Sequence, residues 1–569
     1  MKLKKQFSSL LLVLCLFLTG CNKLLIPNNA NAAFRNFTLD LFRQEVASNT
    51  INLHYSLQDP NKYGITGMPI SLGSYDFHEV ATLASIENLE AALNKFSRSS
   101  LSKENQLTYD ILSDYFSKAK TDAHFYLYQE PLSPVTGIHA QLPVLLAEFQ
   151  LQKKSDVDTY LALLETMPDY FSSLIRLEQQ KADAGLFMSD NLVDEVVSQC
   201  NAFISMGQEN YLLSTFEDRL SQMTELSKKE LSYYLSKNQT ALSDFVLPSY
   251  EYLATSLTAL KGSEKNSQGL CALTEGKAYY KHLVSMDTGS GRTISQLKTL
   301  IKNQVSSDLL EVQKLLEELA TTTEPTISLN QSPEGVLQNL EEKISAAFPK
   351  GADVTVQVKY VPSALEEYLS PAFYLIPAID NYSQNTIYIN QAYSLDQLDL
   401  FTTLAHEGYP GHLYQTTYFS NTNPDPIRTL LGPTGYVEGW ATYAEMCSYS
   451  LAPLEKPYAA LLQKNNSLIL GLYASADMGI HYDGWSLNDT IDFFSSYGIE
   501  DKTTIEEIYK YIVGDPANYM VYYVGYLEML ELKKEMIAEK GASFSQKEFH
   551  KQILEIGPAP FEIIRKYLF

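Results

Sequence analysis

The chain is poor in cysteine, tryptophan and positive charge. Its five cysteines fall at 15, 21, 200, 271 and 447. Two lie near the N-terminus and three are widely spaced, which excludes a disulfide framework and a cysteine-rich metal module. At most one pair could form; buried free thiols are the expectation. Trp440 and Trp485 are the only tryptophans, and both read as packing residues. Lys and Arg number 43 against 67 Asp and Glu, a formal net charge of −24. Phosphate binding needs a basic surface, so no nucleic-acid partner is expected. The apolar run SSLLLVLCLFL is too short to span a bilayer comfortably.

That run has the layout of a targeting segment. Basic MKLKKQ precedes it and LTGC (18–21) follows. LTGC resembles a bacterial lipobox, which implies a signal peptide over 1–20 and a lipid carried on Cys21. Several acyl chains together make a stable anchor. The expected location is the bacterial cell envelope, outside the cytoplasm and lipid-anchored to a membrane. Removing the leader's three lysines leaves 40 basic against 67 acidic residues, so attachment falls to lipid rather than to a basic patch.

Abundant apolar residues (45%) with 19% charged residues indicate a globular body. Residues 21–33 read as a tether. From 34 to 345 the pattern is mainly helical. In the stretches 156–185 and 293–322 apolar residues recur every three and four positions. Gly185 suits a helix C-terminus. YQEPLSPVTGIHAQLP (128–143) carries proline and glycine and reads as an ordered loop. Near 350 the character changes. ADVTVQVKYVP (352–362) alternates like a half-exposed strand, and SPAFYLIPAI and NTIYIN (385–390) complete a small sheet. Helices return from Leu395. Residues 346–569 thus form a second region, which carries the chemistry.

LAHEGYPGHLYQ (404–415) holds His406, Glu407 and His412. On a helix, histidines four apart share a face, whereas six apart they stand roughly 240° apart. Two glycines and a proline between them oppose a regular helix. An interruption there brings both imidazoles to one side. A catalytic zinc site takes three protein ligands and keeps one position open. VEGWATYAEMCSY (437–449) offers Glu438 and Glu445 on one helix face. One can bind the metal while the other buttresses a ligand histidine.

HEGYPGH followed by EGWATYAE resembles the bacterial family of domain of unknown function 885, whose members are often lipoproteins. The likeness continues in GIHYDGWS (479–486), VYYVGYLEML (521–530), FSQKEFHKQILEIGPAPFEII (544–564) and INLHYSLQDPNKYGI (51–65), covering nearly the whole mature chain. More distantly, the arrangement is similar to gluzincin-type helical zinc peptidases such as dipeptidyl peptidase III and angiotensin-converting enzyme. The resemblance implies a mainly α, zinc-peptidase-like architecture with a deep cleft and a small β-sheet near the metal site.

Carried onto this chain, it implies His406, His412 and Glu438 as zinc ligands and Glu407 as general base. Glu445 is the buttress, with exchange of Glu438 and Glu445 left open. Tyr522 matches a family tyrosine and is the first candidate donor to the oxyanion. Its neighbour Tyr523 stands where the family often has lysine. His481 is the second candidate. The strands ending at Tyr374 and Asn390 are expected to offer an edge to an extended peptide. The expected function is zinc-dependent hydrolysis of oligopeptides. The alternatives are a non-catalytic metal- or peptide-binding lipoprotein and a zinc hydrolase of a non-peptide amide. His54, His78, His124, His139, His282 and His550 read as structural or exposed. Oligomeric state, specificity and native metal are not legible.

Overall fold

A computed structural model describes residues 29–263, 268–320 and 331–569. The expected signal peptide and Cys21 lie outside the described residues. Of the expected tether (21–33), residues 21–28 also lie outside the described residues. Asn29 caps a helix, α1 (Ala30–Val46), by accepting the Asn31 N–H, so the tether's last residues are helical. No helix among the described residues is long and apolar enough to cross a membrane.

Helices dominate, as the periodicity predicts. The 128–143 stretch is only partly a loop: Ile138–Ala147 is helical and carries Pro143 within it. The 156–185 pattern divides into Lys154–Glu165 and α2 (Met167–Ala184). Pro168 stands in the first turn of α2, where its missing N–H is harmless. Gly185 ends α2 in the left-handed region, at φ 69°. A capping box between Thr293 and Gln296 opens α3 (Ile294–Leu319). Its buried stripe runs Ile294, Leu297, Ile301, Val305, Asp308, Val312 and Leu315. Asp308 is tolerated there because Lys464 (2.8 Å), Ser467 (2.7 Å) and Gln304 (2.9 Å) satisfy it.

The sheet forms as expected, with three strands: β1 (Thr355–Tyr360), β2 (Ala372–Leu375) and β3 (Gln384–Ile389). Their order is β1-β3-β2. β1 runs parallel to β3, with Val358 opposite Ile387. β2 runs antiparallel to β3, with Tyr374 opposite Ile387. Of the two strands expected to offer an edge, only the one containing Tyr374 does so. The strand ending near Asn390 is central, paired on both sides.

Behind the sheet come α4 (Gln397–Glu407), α5 (His412–Asn421), α6 (Thr434–Ser448), α7 (Lys456–Met478) and α8 (Asn518–Lys540). Buried side chains form two cores. One gathers α1, α3, the sheet's inner face and these C-terminal helices. The other gathers Ile51, Leu72, Tyr75 and residues from 132 to 257, with Val361, Leu365 and Leu369 and with Phe373 and Tyr388 of the sheet. The cores thus cut across the expected division at 345. α7 lies along α3, and α6 along α8. The second crossing is unusually close. A Cβ on Gly439 would come within 2.3 Å of the Gly525 carbonyl carbon, and one on Gly525 within 2.0 Å of the Gly435 oxygen. Only glycine fits at such a contact.

Candidate metal centre

The six-residue spacing is resolved by a break in the helix. α4 ends at Glu407 and α5 begins at His412. Between them the Tyr409–Pro410 peptide is cis. Gly408 (φ −110°, ψ −99°) and Gly411 (φ −80°, ψ −132°) turn the chain. Both need to be glycine for want of room. A Cβ on Gly411 would meet the His406 carbonyl oxygen at 1.8 Å, and one on Gly408 would meet the Leu404 carbonyl oxygen at 2.8 Å. Trp440, fully buried on α6, donates its indole N–H to the Pro410 carbonyl (2.9 Å). The tryptophan expected only to pack thus also fastens the turn.

The break brings the two imidazoles together, with ring centroids 4.7 Å apart and planes at 85°. Glu438 Oε2 lies 3.5 Å from His406 Nε2 and 3.2 Å from His412 Nε2. Donor atoms of the three residues all fall within 4.8 Å of one another. Bonds of about 2.0–2.1 Å at tetrahedral angles place neighbouring donors about 3.3–3.4 Å apart. The two N···O separations bracket that value, so these three residues could hold a divalent ion. His412 and Glu438 are buried, at 1% and 3% exposure.

Glu445, two turns along α6 from Glu438, takes the other side of the first ring. Its Oε2 lies 3.1 Å from His406 Nδ1, and its Oε1 accepts from Asn466 (2.9 Å) on α7. The geometry therefore separates the two glutamates: Glu438 faces both Nε2 atoms and Glu445 backs one ring. His412 Nδ1 is buried with no hydrogen-bond partner among the described residues, so the two rings are buttressed unequally. Electrostatics treats them unequally as well. Burial works to lower the His406 pKa, but hydrogen bonds to Glu438 and Glu445 and the charge of Glu407 prevail, raising it to about 10. At His412 burial prevails over Glu438, and the pKa is lowered. The carboxylates thus hold a positive charge on one imidazole, and a divalent cation could take that place.

Glu407 is adjacent, with its Oε2 accepting the Tyr374 N–H of edge strand β2 (2.8 Å). Residues 75–568 match the family described as bacterial protein of unknown function, DUF885.

The chain belongs to the DUF885 family.

Two solved structures share the DUF885 chain's fold. One is a candidate lipoprotein from Colwellia psychrerythraea, 16% identical, with a TM-score of 0.84 over 95% of this chain and 99% of that one. The other is a candidate lipoprotein of unknown function from Shewanella oneidensis, 20% identical, with a TM-score of 0.62 over 94% and 99%. No curated protein matches the chain.

The remaining expected site residues part company in this DUF885 fold. Tyr522, on the second turn of α8, lines a cavity together with Glu438. Burial, then the charges of Glu438 and Glu407, push its hydroxyl well above the usual tyrosine range. Tyr523 points elsewhere, fully buried against Gly471 and α3. His481 is a correction to the expectation. It is buried in a turn of π-helix (Gly479–Asp483), where Nδ1 accepts the Leu270 N–H (3.1 Å) and Nε2 lies 2.9 Å from the Ile512 carbonyl. Both nitrogens serve the backbone, leaving no donor for an oxyanion. Burial lowers its pKa to about 4. His139 Nε2 bonds Gln199 (2.6 Å) within the second core, and its Nδ1 is buried with no hydrogen-bond partner among the described residues.

Two contributors escaped the sequence. Asn466 lies in an ordinary amphipathic helix and carries no motif. The Tyr374 N–H acts through backbone, which no residue type announces.

Proposed function

We propose that the chain is a zinc-dependent peptidase that hydrolyses oligopeptides and is held in the bacterial cell envelope by a lipid on Cys21. The convergence of His406 Nε2, His412 Nε2 and Glu438 Oε2 beside Glu407 carries this reading. Two imidazoles and a carboxylate suit zinc. LTGC and the lipoprotein descriptions of the two similar structures support the envelope location. The distant likeness to gluzincin-type peptidases supports the reaction class.

His406, His412 and Glu438 would hold the ion, with Glu445 and Asn466 orienting the first ring. Zinc bound there supplies Lewis acidity toward a scissile carbonyl and an attacking water. Glu407, its carboxylate steadied by the Tyr374 N–H, accepts the water's proton and passes it to the leaving amine. Such proton transfer contributes about 100- to 10,000-fold in rate. Tyr522 keeps its proton at neutral pH and donates a hydrogen bond to the carbonyl oxygen as charge develops, a role worth about 3 kcal/mol. An extended peptide lying along edge strand β2 would pass beside Glu407. The cavity reaching Glu438 and Tyr522 favours unfolded peptides in a deep cleft over folded proteins.

The test is metal analysis of the purified protein together with cleavage of a peptide mixture by wild type, chelator-treated protein and Glu407→Gln. We expect zinc in wild type and Glu407→Gln alike, with turnover lost to chelator and cut about 100- to 10,000-fold in Glu407→Gln. Unaltered cleavage by Glu407→Gln would sink the mechanism. Bound metal with no amide turned over would make the protein a metal-binding lipoprotein, and turnover of non-peptide amides alone would change the substrate.

A further inference from the structure

A cavity of about 340 Å³ adjoins the candidate centre, with Glu438 and Tyr522 in its wall. Its far wall comes from residues 75–192, and residues 270–287 and 513–518 close it. An apolar cavity of about 150 Å³ already holds a benzene molecule. There is room here for an aromatic side chain and the backbone that bears it. Most of the lining side chains are carbon-rich. Leu186, Leu192, Leu283, Met286 and Val513 line the space and are only partly buried, so apolar surface stays open to it. Phe77 stacks on Tyr126 at 3.8 Å between centroids, and Tyr128 lies 5.3 Å from Tyr279.

The polar groups of the wall are largely occupied within the protein. Tyr126 donates its hydroxyl to the Tyr75 carbonyl, and the Tyr75 hydroxyl accepts from Tyr170 (3.1 Å). The Tyr128 hydroxyl accepts the Glu275 N–H (3.2 Å), and Ser133 donates to the Gly514 carbonyl (2.8 Å). The carboxylates are engaged as well. Glu130 lies 2.6 Å from Lys181. Asp122 accepts from Gln129 (3.1 Å) and faces His282 at 3.5 Å. Asp287 and Asp515 each have an interaction partner in the protein, and Glu438 belongs to the candidate centre. His481 joins two parts of the wall. Its Nδ1 accepts the Leu270 N–H and its Nε2 meets the Ile512 carbonyl, which fixes the segments bearing Leu270 and Val513 against each other. The histidine removed from the chemistry thus helps to shape the cavity.

What remains for a ligand is mainly carbon surface. A charged side chain of either sign would shed its water there and find the polar groups already taken. A large apolar side chain gains by leaving water. A methyl group would leave most of the space unfilled and forgo its contacts. We propose that this cavity is the specificity pocket of the proposed peptidase and takes a large apolar side chain of the substrate, leucine or phenylalanine in size. The assignment rests on the peptidase reading and adds the substrate class.

The experiment uses metal-loaded wild type and synthetic peptides of one length that differ at one position, carrying phenylalanine, leucine, alanine, lysine or glutamate. Cleavage sites are read by mass spectrometry and kcat/KM is measured for each. The expected result is cleavage next to phenylalanine or leucine, with kcat/KM at least about tenfold above alanine and lowest for the two charged residues. That series needs no variant and decides by itself. Leu283→Trp and Met286→Trp, checked for folding by circular dichroism, place bulk in the space and should narrow the phenylalanine-to-alanine ratio several-fold. An unchanged ratio in both folded variants overturns the pocket. Binding to Glu407→Gln, followed by fluorescence polarisation, should follow the same order of peptides. Equal, chelator-sensitive cleavage of all five peptides, or a preference for lysine or glutamate, overturns the pocket and leaves the peptidase standing. Preferred binding of the phenylalanine peptide without cleavage of any peptide upholds the apolar pocket and overturns the peptidase. No cleavage and no binding preference overturn both.

Discussion

Two helix interruptions in this chain carry histidines, and they do opposite things with them. In the first, GYPG breaks the chain between α4 and α5 and turns two imidazole edges toward one carboxylate. In the second, a π-turn after α7 turns His481 inward, and the backbone takes both its nitrogens. Both segments are glycine-flanked and both rings are mostly buried. The difference lies in what the ring nitrogens meet. Acceptors on side chains leave room for a metal; backbone groups close the ring off.

Metal binding breaks or upholds this contrast most directly. His412→Ala should reduce bound zinc from about one ion per chain to near none by elemental analysis, whereas folded His481→Ala should keep it. Loss of metal in both variants would erase the distinction. Next in size is the turn itself. Gly411→Ala forces a methyl against the His406 and Ala405 carbonyl oxygens, at 1.8 and 2.5 Å. Overpacking of this kind costs on the order of 3 kcal/mol, so urea unfolding should show a clear loss; wild-type stability would mean the turn is not as tight as described. Glu445→Gln removes the charged partner of His406 Nδ1 and should weaken metal affinity about 10- to 100-fold by competition with a chelating dye.

The smallest effect belongs to the second interruption and to acid. His481 has a folded pKa of about 4 against 6.5 unfolded. Below pH 6.5 the unfolded chain binds a proton the folded chain refuses. The ring's contribution is therefore intact above pH 6.5 and is lost as pH falls toward 4. At pH 5 the loss is on the order of 2 kcal/mol. His481→Gln should shrink the stability difference between pH 7 and pH 5 by about that amount. An unchanged difference would show that the ring is not held neutral.

Much of the fold was legible because its signals are local. The stripe of α3 and the alternation of β1 follow from spacing alone, and Gly185 ends α2 where a left-handed residue is needed. Local signals also misled where tertiary packing prevailed. Pro143 suggested loop, yet Ile138–Ala147 is helical and nearly all buried, so packing supports a helix the proline disfavours. Strand order was unreadable, because pairing joins segments that periodicity cannot rank; β3 rather than β2 became central.

The same division runs through the candidate site. By itself the sequence determined the candidate donor set and the need for a break, because six residues on an unbroken helix cannot bring two imidazoles together and GYPG is poor helix. It limited the carboxylate to two residues on one helix face. Only the tertiary structure decided between them: the close Gly439–Gly525 crossing and the Trp440–Pro410 bond hold α6 so that Glu438 meets both Nε2 atoms and Glu445 backs one ring. It alone removed His481 from the chemistry and brought the Tyr374 N–H to Glu407. The physical reason is the same in each case: a residue's type sets what its atoms can donate or accept, and the packing of distant segments sets which partner arrives.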